Sequence, residues 1–90
     1  MKNQKRAYPN KLKAFRENRG FTVEFVAKLF KLKQKQTIER WEKGESLPTL
    51  DNLLKLMALY ETNEYGLYPI LMGEIKREMD EKKRKKGGKK

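Results

Sequence analysis

The chain of 90 residues contains no cysteine and no histidine. Without cysteine it can form no disulfide, iron–sulfur cluster or thiolate zinc site, and nothing in it indicates an oxidising compartment. Without histidine it lacks the commonest general base and the commonest protein ligand of metals. We therefore predict that the protein is not an enzyme, binds no cofactor or metal, and is cytoplasmic.

The sequence also lacks a long apolar run. No window approaches the about 18 apolar residues that a membrane-spanning helix requires. The first ten residues are charged, but no apolar segment follows them as it would in a signal peptide. We predict neither a signal peptide nor a membrane span, and the length favours one small domain with a modest core.

Positive charge is present in excess, with a formal net charge of +11 at pH 7. The basic residues concentrate at the two ends of the chain, whereas residues 21–81 taken together are close to neutral. Within this middle part, the segment from Lys28 to Lys43 is itself basic. A strongly basic chain indicates a polyanionic partner, with nucleic acid favoured over an anionic membrane surface.

Apolar residues recur at helical spacing in five segments, and no stretch alternates as a strand does, so we predict an all-α fold. Thr22 and Thr49 precede two of these segments as N-caps, and Gly20 and Gly44 follow two others where a helix would end. The helices are predicted over residues 11–19, 23–30, 34–43, 50–60 and 69–83, with a further helical turn near Tyr65.

The segment between the second and third predicted helices contains no glycine that would end the second helix. We therefore expect Phe30, Lys31 and Leu32 to make the turn. Gln34 is the expected cap of the third helix, although glutamine is only a moderate N-cap.

The two ends of the chain are predicted to lie outside a compact domain at residues 10–68. Residues 1–9 are expected to form a basic, poorly ordered arm, and residues 84–90 a disordered basic tail. Residues 69–83 form a C-terminal helix with more apolar surface than a solvated helix needs. That helix is a candidate contact between two copies of the chain, although packing against the first and fourth helices explains part of this surface equally well.

The stretch KLKQKQTIERWEKG, residues 31–44, combines an apolar side with a polar and basic side. Ile38 and Trp41 lie three apart and are predicted to face the core; stacking of Trp41 on a base is the alternative. The polar side has the side-chain types that bind base edges and phosphates, so we interpret this stretch as a DNA recognition helix. The predicted base contacts are Lys35, Gln36, Glu39 and Arg40, and the predicted phosphate contacts are Thr22, Lys33, Thr37 and Lys43. A solvated polar helix face is the alternative for these residues.

Four motifs occur in order along the chain: RENRG, TVEFVA, TIERWEKG and LPTLDNLLKLMALYE. Over roughly Asn10 to Tyr68 they resemble the lambda-repressor-like, or Cro/C1-type (XRE), helix-turn-helix family. The resemblance implies a five-helix domain that binds double-stranded DNA with its third helix in the major groove, as in a small transcriptional regulator such as a repressor. It also implies a structural ion pair between Arg16 and Glu42; two unrelated surface charges are the alternative.

Two features depart from the usual pattern of that family. Val23 stands where the family usually has a glutamine that touches DNA, and the segment from Ala27 to Ile38 is one residue longer than usual and lacks the turn glycine. The alternative function is a protein-interaction module on the same fold, such as an antitoxin-like subunit or a coactivator adaptor, with the helix after Pro69 as the partner surface.

Overall fold

The computed structural model describes residues 7–89, and this part of the chain consists of six α-helices without a strand. The predicted all-α fold is therefore confirmed. Between Ala7 and Lys89, no helix is both long and apolar enough to cross a membrane. The helices are α1 (Leu12–Asn18), α2 (Val23–Leu29), α3 (Gln36–Lys43), α4 (Leu50–Tyr60), α5 (Glu64–Leu67) and α6 (Pro69–Lys89).

One core joins the first five helices and the start of α6. Its buried apolar residues come from every helix from α1 to α5 and are Leu12, Val26, Ala27, Phe30, Ile38, Trp41, Leu56, Tyr60, Leu67 and Tyr68. Trp41 is only 4% exposed, which confirms its predicted position in the core. The apolar face of α3 is therefore fixed inside the domain, and its opposite face is turned outward.

The local signals at the helix ends act as the sequence predicted. The hydroxyl oxygen of Thr22 accepts a hydrogen bond from the backbone N–H of Phe25 at 3.0 Å, and that of Thr49 accepts one from Asn52 at 3.3 Å. These bonds satisfy N–H groups that the first turn of a helix leaves unpaired. Gly44 ends α3 with a φ of +77°, a left-handed conformation that glycine adopts without steric cost.

Lys31 makes the turn between α2 and α3 by adopting the left-handed conformation, with a φ of +56°. The N–H of Lys31 donates to the carbonyl of Lys28, and the N–H of Leu32 donates to the carbonyl of Ala27. This pair of hydrogen bonds is a Schellman motif, which usually has glycine at the position of Lys31. The turn expected at Phe30, Lys31 and Leu32 is thus formed without the usual glycine.

The predicted start of α3 at Gln34 is wrong, because the helix begins at Gln36. Lys35, and not Gln34, occupies the N-cap position, and its side chain makes no capping hydrogen bond. The first hydrogen bond with helical spacing joins the N–H of Glu39 to the carbonyl of Lys35 at 3.2 Å. The additional residue in this segment therefore lengthens the connection before α3 and does not extend the helix.

The C-terminal helix was predicted to end at Lys83, and α6 continues past this residue to Lys89. Lysine and arginine have good helix propensity, which is consistent with the continuation of the helix through Arg84 and Lys85. Ion pairs one turn apart, Lys76–Asp80 and Glu78–Lys82, each at 3.3 Å, support the preceding turns.

The predicted N-terminal arm is ordered at its end. Tyr8 is half-buried against the core, and its N–H donates to the carbonyl of Gly44 at 3.1 Å. This hydrogen bond holds Tyr8 next to the end of α3. Residues 1–6 of the predicted arm and Lys90 of the predicted tail lie outside the described residues.

Candidate nucleic-acid interface

The outward side of α3 presents a narrow polar face. Gln36, Arg40 and Lys43 follow each other at intervals of four and three residues, and all three are exposed. At about 100° per residue their side chains fall within an arc of roughly 60°. Ile38 and Trp41 are buried on the other side. An α-helix with one polar face free of neighbours has the width that the major groove accepts.

The four predicted base contacts do not all occupy equivalent places. Gln36 and Arg40 are exposed on α3, and Lys35 is exposed at its N-cap. Glu39 is half-buried and lines an open cleft of about 320 Å³ together with Lys43. The structure therefore brings these side chains together between the N-cap of α3 and Arg40, with Glu39 the least exposed of the four.

The four predicted phosphate contacts lie on α3, in the connection before it and at the start of α2. Lys33 is exposed in the connection before α3, and Lys43 is exposed at its last turn. Thr22 is exposed at the start of α2, where its oxygen caps that helix and its hydroxyl proton stays available to a phosphate. Thr37 is half-buried on α3, so it is the least accessible of the four.

A bidentate ion pair attaches α3 to α1. Nε of Arg16 donates to Oε2 of Glu42 at 2.6 Å, and its Nη2 donates to Oε1 at 3.1 Å. The remaining guanidinium nitrogen, Nη1, donates to the carbonyl of Phe21 at 3.0 Å. Hydrogen bonding to Glu42 is the main cause that raises the pKa of Arg16. The pair implied by the family resemblance is therefore present, with both side chains about nine-tenths buried.

Asn10 attaches the C-terminal end of α3 to the residues just before α1. Its Nδ2 donates to the carbonyl of Trp41 at 2.8 Å and to that of Tyr8 at 2.9 Å. Its Oδ1 accepts from the N–H of Leu12, the first residue of α1, at 2.9 Å, while Lys11 occupies the N-cap position. The sequence did not predict the hydrogen bond from Asn10 to α3, because no local spacing indicates that residues 31 positions apart meet.

Glu24 attaches the N-terminal end of α3 to the first turn of α2. Nζ of Lys35 lies 3.0 Å from Oε2 of Glu24, and both side chains are largely solvent-exposed. This hydrogen bond is the main cause that lowers the pKa of Glu24 and raises the pKa of Lys35. Glu24 is the acidic residue in the first turn of α2. Its pairing with a predicted base contact depends on how α2 and α3 approach each other.

We call these three connections the α3 anchors: Asn10 with the Trp41 carbonyl, Arg16 with Glu42, and Glu24 with Lys35. Val23, next to Glu24, adds no hydrogen bond of its own. It is half-buried and lines the same open cleft as Glu39. The first position of α2 therefore contributes apolar surface where a glutamine would contribute hydrogen-bonding groups.

Two short helices, α2 and α3, are joined by a connection that turns at Lys31, and the second of them is anchored with its polar face exposed. This arrangement defines a helix-turn-helix domain of the DNA-binding class. A helix-turn-helix family model matches residues 12–67, which include α1 to α5. The chain belongs to this family, the Cro/C1-type or XRE helix-turn-helix family of DNA-binding transcription regulators. No curated protein and no solved structure gives a significant match.

Proposed function

We propose that the protein is a small transcriptional regulator that binds double-stranded DNA sequence-specifically, with α3 in the major groove. The observation that supports this most directly is the exposed face formed by Gln36, Arg40 and Lys43 on a helix whose opposite side is buried. Three anchors hold that helix to the rest of the domain, so the face has a defined orientation. A fixed orientation is what base recognition requires.

The proposed base contacts follow the hydrogen-bonding patterns of the major groove. Gln36 has an amide that can bond adenine at N6 and N7, and Arg40 has a guanidinium that can bond guanine at O6 and N7. Lys35 also donates to guanine, whereas Glu39 accepts from the amino group of cytosine. Each well-formed bidentate pair contributes about 1–3 kcal/mol of discrimination against another base.

The proposed phosphate contacts, Thr22, Lys33, Thr37 and Lys43, set the position of the domain on the duplex without selecting a sequence. The affinity then falls with salt, because each neutralised phosphate releases counterions. The logarithm of the binding constant has a slope of about −0.9 per phosphate against the logarithm of salt concentration. The two lysines alone give a slope of about −1.8, and a Lys33→Ala variant is expected to lose about 0.9 of the total.

We also propose that two copies bind together through α6, since two-fold dimers recognise palindromic sites. Ile75 and Met79, four residues apart on one side of this helix, are 46% and 44% exposed, which leaves apolar surface for a partner. Sedimentation of the full chain with and without DNA tests the pairing. Ile75→Glu is expected to shift the protein toward the monomer, and a chain that is monomeric under all conditions contradicts the pairing.

The test of the proposed function is selection from random duplexes with the full chain, followed by binding measurements on the enriched sequence. Gln36→Ala and Arg40→Ala are expected to weaken binding to that sequence five-fold or more each, at about 1–3 kcal/mol per base pair recognised. Arg77→Ala on α6 is the matched control, because Arg77 is an exposed arginine away from α3 and on the side of α6 opposite Ile75 and Met79. Circular dichroism checks that each variant keeps its helical content.

The same experiment separates this function from the alternative of a protein-interaction module. If selection returns no enriched duplex, sequence-specific binding is contradicted. Salt-sensitive binding without enrichment would then indicate a non-specific architectural role, and absence of binding would favour the protein-interaction module.

A further inference from the structure

The anchor between Glu24 and Lys35 differs from the other two α3 anchors in its exposure. The side chains of Glu24 and Lys35 are 65% and 45% exposed, whereas those of Arg16 and Glu42 are 10% or less. Exposed ion pairs contribute little to stability, because water solvates both partners well when they are apart. What the anchor changes is therefore the position and the local charge of Lys35, more than the stability of the fold.

Lys35 is placed at the end of α3 that would enter the major groove first. Its ammonium has three N–H donors, and the carboxylate of Glu24 accepts one of them at 3.0 Å. The side chain of Lys35 is 45% exposed, so the remaining donors are accessible from solvent. A lysine without a partner would sample many rotamers and would approach any phosphate nearby, since it is a flexible point charge.

The carboxylate of Glu24 changes which groups of the DNA the ammonium of Lys35 would bind. Together the ammonium and the carboxylate have no net charge, so the pair gains little from the phosphate backbone. A directed N–H donor still gains from the acceptors at the edge of guanine. Val23 offers no hydrogen bond at the adjoining position, so Glu24 is the α2 residue that the structure joins to a predicted base contact.

We propose, on the basis of the DNA-binding function proposed above, that Glu24 is a positioning residue for specificity: it directs Lys35 to a base edge and lowers the affinity for non-specific DNA. Glu24 itself need not touch the DNA. Its effect is on the ratio between specific and non-specific binding, which is the quantity that determines site occupancy among many competing sequences.

The test compares Glu24→Gln with Glu61→Gln in the full chain. Glu61 is an exposed carboxylate 3.7 Å from Arg19 at the end of α4, so its replacement changes the net charge equally without affecting Lys35. Binding is measured across a salt series to the duplex enriched by the wild type and to a scrambled duplex. Thermal unfolding of both variants checks that their stability is the same.

Glu24→Gln is expected to bind the scrambled duplex more tightly and to steepen its salt slope by about 0.9, as one further lysine becomes available to a phosphate. The ratio of specific to non-specific affinity is expected to fall about five-fold or more, because the loss of one base contact costs at least about 1 kcal/mol of discrimination. Lys35→Gln should lower this ratio without the steeper slope.

Two failures are distinguishable. If the wild type enriches no sequence, the proposed DNA recognition fails. If the wild type enriches a sequence and Glu24→Gln behaves as Glu61→Gln in both the affinity ratio and the salt slope, the role of Glu24 is refuted while DNA recognition stands.

Discussion

Replacing Glu42 by glutamine tests how strongly α3 depends on its link to α1. The variant keeps the shape of the side chain but removes the negative charge that two guanidinium nitrogens of Arg16 contact at 2.6 and 3.1 Å. The side chain of Arg16 is only 10% exposed, so its charge cannot be solvated fully by water. Breaking a buried pair from one side costs about 3–5 kcal/mol, and the residual exposure favours the lower end.

A loss of about 3 kcal/mol is a large part of the total stability. A domain of this length has a free energy of unfolding of about 5–13 kcal/mol, from about 0.05–0.15 kcal/mol per residue. The loss corresponds to a decrease of the melting temperature by about 12–24 °C. The pKa of Arg16 is raised above an already high value, so the arginine remains charged and the loss is expected throughout the neutral range.

Urea unfolding followed by fluorescence measures this loss. Trp41, the only tryptophan of the chain, is buried and directly precedes Glu42 in the sequence. Its fluorescence therefore reports the opening of the core. Glu61→Gln is the control and is expected to cost less than about 1 kcal/mol, as an exposed pair does. If Glu42→Gln costs no more than this control, the ion pair does not stabilise the fold as argued.

Further predictions concern stability and pH. Burial raises the pKa of Tyr60 and of Tyr68 to about 12. Because these pKa values exceed the unfolded value of about 10, the free energy of unfolding is unaffected below pH 10 and should fall as the pH rises toward 12. Each of the two tyrosines should lower it by about 1.4 kcal/mol per pH unit in this range. If Tyr60→Phe or Tyr68→Phe lowers the tyrosinate absorbance that the folded protein shows near pH 10, this prediction is contradicted. Tyr68→Phe removes a buried hydroxyl without a partner among the described residues, and should raise the free energy of unfolding at pH 7 by about 1 kcal/mol. Gly73→Ala should raise it by about 0.5–1 kcal/mol, since nothing lies within 4 Å of the added methyl group in α6. Lys31→Gly should raise the free energy of unfolding by about 0.5 kcal/mol, because glycine adopts the left-handed conformation of this position without strain. Urea unfolding measures the three variants, and a lower free energy of unfolding in one of them refutes the explanation given for that variant.

The sequence predicts those parts of the fold that depend on neighbouring residues. Thr22 and Thr49 cap their helices because a hydroxyl needs only to reach an N–H three residues ahead. Trp41 is buried because its helical spacing from Ile38 places both on one side. Gly44 ends α3 because it can adopt a positive φ.

What the sequence does not predict depends on how the helices approach each other in space. The contact of Glu24 with Lys35 requires the turn that Lys31 makes, and the residue types alone do not determine that turn. The bond from Asn10 to Trp41 joins distant positions. The Arg16–Glu42 pair was expected only from the family resemblance. The individual base and phosphate contacts stay predictions.

The α3 anchors also determine which positions of the recognition helix can be redesigned. Two of the anchors use Glu42 and the backbone carbonyl of Trp41, neither of which lies on the outward face. Gln36 and Arg40 make none of these bonds, so their side chains can be exchanged to select other base pairs while the helix keeps its orientation. Lys35 is different: it belongs to an anchor, and a new residue there requires a compensating change at Glu24. A library that varies positions 24 and 35 together should therefore yield more functional variants than one that varies position 35 alone.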